Sequence, residues 1–205
     1  MIKHFTNPIR LLILQMSRYR NIIISIAFFT GCSSSIKIIE THPNNEKKST
    51  EVYNGKLFGS TLIKKSTYYT SGRILSETSY SRNKKHGKHV SFHENGKIAI
   101  EGSFRLGLRD GKWKFRDKNG ILDSIHTFKN DRYNGKSESY LNGILQISQN
   151  YQEGEMHGKF TEFNQDGVIK STGEYQNNLP NGKWQWFDDN KQVQRAIHYK
   201  NGIKD

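Results

Sequence analysis

Four groups of side chains in this sequence are of the type and spacing that do chemistry. His86, His89 and His93 sit close together, and imidazole is a frequent metal ligand. His86 and His157, however, hold a position before a recurring glycine that elsewhere carries Asp110, Asn134, Asn181 and Asp205, which reads as a turn. No metal and no cofactor is therefore expected. Asp188 and Asp189, with Glu162 and Asp166, would suit acid–base work only in a cleft that shifts their pKa values. No Ser-His-Asp order, phosphate loop or Cys-His pair stands out, so no catalytic residue is assigned and the chain is read as a non-enzyme. Lys88, Lys112, Lys136, Lys159 and Lys183 each follow a glycine and form a regular row, suited to a polyanion or to a solvated face that discourages edge pairing. The remaining group is a single thiol, Cys32.

Cys32 follows an eight-residue apolar run, residues 22–29 (IIISIAFF), which is preceded by Arg18 and Arg20. A spanning helix needs about 20 apolar residues, whereas a basic stretch, a short apolar stretch and small residues describe an export signal. Phe29-Thr30-Gly31-Cys32 resembles the lipobox of bacterial lipoproteins, with Phe29 in place of the usual leucine. That resemblance implies cleavage after Gly31, a lipid on Cys32, and residence in the bacterial envelope, on the outer membrane or a periplasmic face. Residues 16–32 alone make a complete short signal, so translation is expected to start at Met16. Removing residues 1–31 takes away Lys3, Arg10, Arg18 and Arg20 and no acid, so the formal charge falls from +13 to +9. Such a chain suits anionic headgroups, lipopolysaccharide phosphates or an acidic protein. Export takes it away from nucleic acid.

The elements that position these groups repeat. Gly-Lys recurs at Gly87, Gly111, Gly135, Gly158 and Gly182, at spacings of 24, 24, 23 and 24. A second column holds Gly72, Gly96, Gly120, Gly143 and Gly167 and closes with Lys191. Asn95-Gly96, Asn119-Gly120, Asn142-Gly143 and Asp166-Gly167 read as two-residue hairpin turns. Two residues past the turn stand Ile74, Ile98, Leu122, Leu145, Ile169 and Val193; eight past it stand Tyr80, Phe104, Phe128, Tyr151, Tyr175 and Tyr199. Both offsets are even, so both columns are expected on one face of a sheet as the core of the repeat. Intervening polar residues such as Glu101, Ser103, Gln146 and Thr172 read as the wetter face. The other connection, as in residues 104–111, looks longer and glycine-rich.

The expected fold is all-β, an elongated antiparallel meander of repeated hairpins, on a chain with only 33% hydrophobic residues, a mean hydropathy of −0.81 and 12% aromatics. The expected domains are a signal over 1–31, a lipidated cysteine and flexible tether over 32–51, an N-terminal cap over 52–62, and about five and a half repeats over 63–205. With no cysteine after Cys32, hydrogen bonds and packing must hold the array.

The composite Tyr-x-Asn-Gly-x-x-x-Gly-Lys-Trp-x-x-Phe-x-x-Asn-Gly-x-Ile, best seen in residues 151–169 and 175–193, resembles the bacterial variant of the MORN (membrane occupation and recognition nexus) repeat over residues 63–205. The resemblance implies a single-layer sheet that serves as an interaction module. Its relatives are described as antitoxin-like or as Gram-negative lipoproteins and surface proteins. Three readings follow: a lipid-anchored module with an unknown protein partner, an antitoxin or immunity protein with a dedicated toxin partner, and direct binding of anionic lipid or polyanion by the lysine row.

Overall fold

The computed structural model describes residues 34–55 and 60–205. These fold into one antiparallel sheet of fifteen strands whose spatial order is their chain order. The strands are β1 (Ser34–Thr41), β2 (Lys47–Asn54), β3 (Thr61–Tyr68), β4 (Ile74–Ser81), β5 (Lys84–Phe92), β6 (Ile98–Arg105), β7 (Leu108–Arg116) and β8 (Leu122–Lys129). They continue as β9 (Arg132–Leu141), β10 (Ile144–Gln152), β11 (Glu155–Phe163), β12 (Ile169–Gln176), β13 (Leu179–Phe187), β14 (Val193–Lys200) and β15 (Ile203–Lys204). At the usual interstrand spacing the ribbon is roughly 70 Å long. The all-β hairpin array is thus the fold.

Two connections alternate, and the structure exchanges the roles that the sequence suggested for them. The tight turns are Arg82-Asn83, Leu106-Gly107, Asn130-Asp131, Glu153-Gly154, Asn177-Asn178 and Asn201-Gly202, each with φ positive at both residues. That is the mirror-image turn whose twist matches a hairpin. Three of the four expected turn sites, Asn95-Gly96, Asn119-Gly120 and Asp166-Gly167, instead close five-residue loops. In residues 93–97, His93 N donates to Lys97 O (2.8 Å) and Gly96 N to His93 O (2.8 Å), and only Gly96 is left-handed. Lys191 fills that glycine slot in the last loop at φ 64°.

Asn142-Gly143 is the exception, because here the unit has 23 residues rather than 24. The missing residue shrinks the loop to a two-residue turn, with Ile144 paired to Leu141, and a bulge between Leu145 and Ile147 restores the register.

Residues expected to be tether are strands. β1 pairs with β2, and β2 with β3, around a loop over residues 42–46 closed like the later ones by His42 N to Glu46 O (2.8 Å). Asn45, at φ 67°, takes the left-handed slot held elsewhere by glycine, which hid this hairpin from the glycine count. Residues 52–54 of the expected cap belong to β2, and its residues 56–59, like Gly31 and Cys32, lie outside the described residues.

Neighbouring units are stitched along both long edges. On the turn edge Gly107 N donates to Lys85 O, Gly154 N to Tyr133 O, Asn178 N to Met156 O and Gly202 N to Pro180 O. On the loop edge side chains do the same work: Tyr69 Oη donates to Phe92 O (2.8 Å), His93 Nε2 bonds Arg116 O (2.8 Å), and Asn95 Nδ2 donates to Lys118 O (2.6 Å).

The core differs from the expected one. Buried apolar residues are Val90, Trp113, Phe128, Trp184 and Ile197. The aliphatic column is largely surface: Ile74, Ile98, Ile169 and Val193 are 36–49% exposed, while Leu122 and Leu145 are half-buried. These residues begin their strands at the loop edge, and a one-layer sheet has no second layer to cover its margin. Aromatic rings near the middle of each strand are long enough to cover one another; a short branched side chain at the margin is not.

Candidate interaction surface

One continuous cross-strand row builds the aromatic face. Thr78 pairs with His89, His89 with Gly102, Trp113 with His126, His126 with Ser137, Ser137 with Gln149, Gln149 with Phe160, Phe160 with Gly173, and Trp184 with Ile197. The two remaining steps are made by the indoles. A Cβ on Gly102 would lie inside the ring of Trp113, and one on Gly173 inside that of Trp184, so each indole lies across its glycine. Both then donate Nε1 to a carbonyl at 3.1 Å, Trp113 to Ser103 and Trp184 to Glu174.

Around that row the rings form two clusters. The first joins His89, Phe104, Trp113, Phe128, His126, Tyr133 and Tyr151, with His89 stacked on Trp113 (centroids 5.5 Å) and Phe128 on Tyr133 (4.8 Å). The second joins Phe160, Tyr175, Trp184, Trp186 and Tyr199. Pairs of this geometry add about 0.5–1.5 kcal/mol beyond their burial. Phe104, Phe128, Tyr151, Tyr175 and Tyr199 of the expected aromatic column all lie in these clusters, with Phe128 alone buried, while Tyr80 pairs with Lys85. Gly87, Gly111, Gly135, Gly158 and Gly182 face Phe104, Phe128, Tyr151, Tyr175 and Tyr199 across the ladder. All five have positive φ, which marks them as bulge residues.

Cations cap this face. Lys85 Nζ stands 4.9 Å from the Phe104 centroid, Arg109 Cζ 4.0 Å from Phe128, Arg195 Cζ 5.4 Å from Trp186 and Lys37 Nζ 4.6 Å from Tyr53. Arg109 is also fixed by Asp131 through Nε to Oδ1 (2.8 Å). Burial within the rings holds His89 below the usual imidazole range, with Lys85 adding repulsion. Burial and Arg109 do the same to His126. At the first hairpin Tyr53 donates to Glu51 (2.5 Å), and that carboxylate pushes the phenol up to about 12.

The opposite face is the lysine face. Lys88, Lys112, Lys136, Lys159 and Lys183 each immediately precede a member of the aromatic row, and strand alternation turns them the other way. All five are exposed. They pair across the ladder with Ser103, Thr127, Asn150, Glu174 and His198. The carboxylates of this side are engaged: Glu138 with Lys136 (2.5 Å), and Glu101 with Arg116 (3.1 Å) and Lys114 (3.4 Å). Burial alone would raise Glu101, but Arg116 and Lys114 bring it below the usual range. The lysine beside Glu138 lowers that carboxyl too.

The other polar candidates disperse. His86 Nδ1 accepts from Leu106 N (3.4 Å), His89 bonds Thr78 Oγ1 (2.8 Å), and His93 reaches Arg116 O, so the three have separate partners. Glu162 is held by Lys170 (2.7 Å) and Ser171 (3.0 Å), and Asp188 caps its own loop by accepting from Gln192 N (2.8 Å). Sequence reasoning passed over Gly102 and Gly173, although each lies eleven residues before a tryptophan and the two pairs stand 71 residues apart, three repeat periods.

An open one-layer sheet built from a 23–24-residue hairpin unit, with an aromatic face backed by a lysine face, defines a β-repeat protein. Its segments at residues 85–105, 109–130, 156–177 and 180–201 match the model of the MORN repeat variant family, MORN_2. Repeats of this kind generally serve as protein- or membrane-binding modules. The matched segments leave out residues 131–155, which contain the shortened loop. No curated protein matches the chain.

Proposed function

We propose that the protein is a non-catalytic binding module of the bacterial envelope, held to its membrane by a lipid on Cys32, with the aromatic face as its docking surface for a protein partner. One observation carries this reading: four cations are seated over rings of a face that no second layer of the described residues covers. Ordered aromatic area with fixed cations is the composition that dominates binding at protein interfaces. Because β1 begins at Ser34, the chain from Cys32 to the sheet reaches at most about 7 Å. The module would be carried close to the bilayer rather than on a long tether.

Intact mass of the membrane-fraction protein, wild type beside Cys32→Ala, tests the anchor. A diacylated chain starting at Cys32, lost in the variant, is expected; an unlipidated chain in the soluble fraction rejects it. Photo-crosslinkers at Ser124 on the aromatic face and Ser103 on the lysine face test the surface. A discrete protein adduct from Ser124 is expected, and adducts from Ser103 alone reject the assignment. The five exposed lysines favour a second reading, contact with anionic lipid or another polyanion, which salt should weaken.

A further inference from the structure

Six Asn-Gly pairs lie between Asn95 and Gly202, and the fold treats them unequally. Spontaneous deamidation at such a pair requires the glycine nitrogen to reach the asparagine side-chain carbonyl carbon. A hydrogen bond on the side-chain amide or on the glycine N–H opposes that approach.

Five pairs are restrained. Asn95 donates Nδ2 to Lys118 O (2.6 Å) and accepts from Lys97 N at Oδ1 (3.0 Å). Asn119 Nδ2 donates to Asp117 Oδ2 (3.2 Å), and Gly120 N is bonded to Asp117 O (2.9 Å). Asn134 and Asn181 lie inside strands β9 and β13, and Asn181 Oδ1 also accepts from Asn201 N (3.3 Å). Gly202 N, beside Asn201, donates to Pro180 O (2.8 Å).

Asn142-Gly143 has none of these restraints. Asn142 is exposed and makes no side-chain hydrogen bond among the described residues. Gly143 lies on the loop edge, so it lacks the turn-edge bond made by Gly107, Gly154 and Gly202. The turn also rests on little: Leu141 and Ile144, its closing pair, are 50% and 42% exposed, and the bulge at Leu145/Ile147 follows at once. A hairpin end of this kind opens at low free energy.

We propose that Asn142 is the deamidation site among these six pairs. Gly143 N, losing its proton to water or hydroxide, attacks Asn142 Cγ; a C–N bond forms, ammonia leaves, and a five-membered succinimide results. Addition of one water opens the ring at either carbonyl, giving aspartate or isoaspartate at 142. Either product adds a negative charge, and isoaspartate adds one backbone carbon to the turn. The lengthened backbone disturbs the loop-edge stack in which the side chain of Ile121 approaches Gly143 and that of Ile144 approaches Gly167.

The test is peptide mapping of the full chain held at pH 7.4 and 37 °C, with electron-transfer fragmentation to distinguish isoaspartate. A parallel sample in denaturant shows the rates that the sequence alone permits. Conversion at Asn142 about ten-fold or more faster than at Asn95 and Asn119 is expected in the folded sample, with the three rates drawing together in denaturant. Equal rates in the folded sample overturn the proposal, as does an intact Asn142 after the denatured chain has converted.

Discussion

The indole of Trp113 lies across Gly102 so closely that no side chain can stand there, and 71 residues later Trp184 lies across Gly173 in the same way. Between them the same two positions hold His126 with Ser137 and Gln149 with Phe160. Each step thus offers a small or slender partner to a large one, and Ser137 can be small because His126 supplies the ring. The larger group falls on either strand of the step, and its neighbour is the smaller of the two.

Gly102→Ala should therefore destabilise the protein by about 1–3 kcal/mol through overpacking against Trp113. Gly102→His combined with Trp113→Ser recreates the arrangement of His126 and Ser137 and should recover part of that loss. Thermal unfolding of the single and double variants measures both, and a double variant no more stable than Gly102→Ala contradicts the account.

Core and margin should respond differently to truncation. Trp184→Ala removes a buried ring from the second cluster and should cost about 3–5 kcal/mol. Ile169→Ser alters a side chain that is 43% exposed and should cost under about 1 kcal/mol. Denaturant titrations that show comparable losses would return the aliphatic column to the core.

Acid should weaken the fold through His89 and His126. Both have pKa values below the ordinary 6.5, so the unfolded chain takes up protons before the folded one does. Their contribution is present above the unfolded value and is lost as the pH falls through the folded value. The melting temperature should drop from pH 7 toward pH 5, and the slope should flatten in His89→Gln/His126→Gln. An unchanged slope in that variant assigns the acid sensitivity elsewhere.

Asn164→Ala removes an acceptor that receives Asp166 N (3.0 Å) and Val168 N (2.9 Å) in a five-residue loop. The cost should be about 1 kcal/mol, readable as faster hydrogen exchange at those two amides.

Much of this was legible in the sequence, for reasons tied to particular residues. The period, the hairpins and the aromatic face show because Gly87 and its equivalents sit at bulges opposite rings, positions where few substitutes work. The first hairpin was hidden because Asn45 replaces the marker glycine. The turns were exchanged because Asn95, Asn119 and Asp166 look like two-residue turn formers, while Arg82-Asn83 and Leu106-Gly107 do not. The role of Ile74, Ile98, Ile169 and Val193 failed on a different point. Alternation predicts which side a residue takes, but not whether anything stands over it.

Every strand in this sheet pairs only with its predecessor and its successor in the chain. Contacts are therefore short in sequence throughout, which is unusual for an all-β protein of this length, since slow β folding comes from joining distant segments. Any one hairpin can form first and offer its edge to the next, so that assembly spreads outward in either direction. A nascent chain could add strands in the order in which they emerge, without waiting for its C-terminal part.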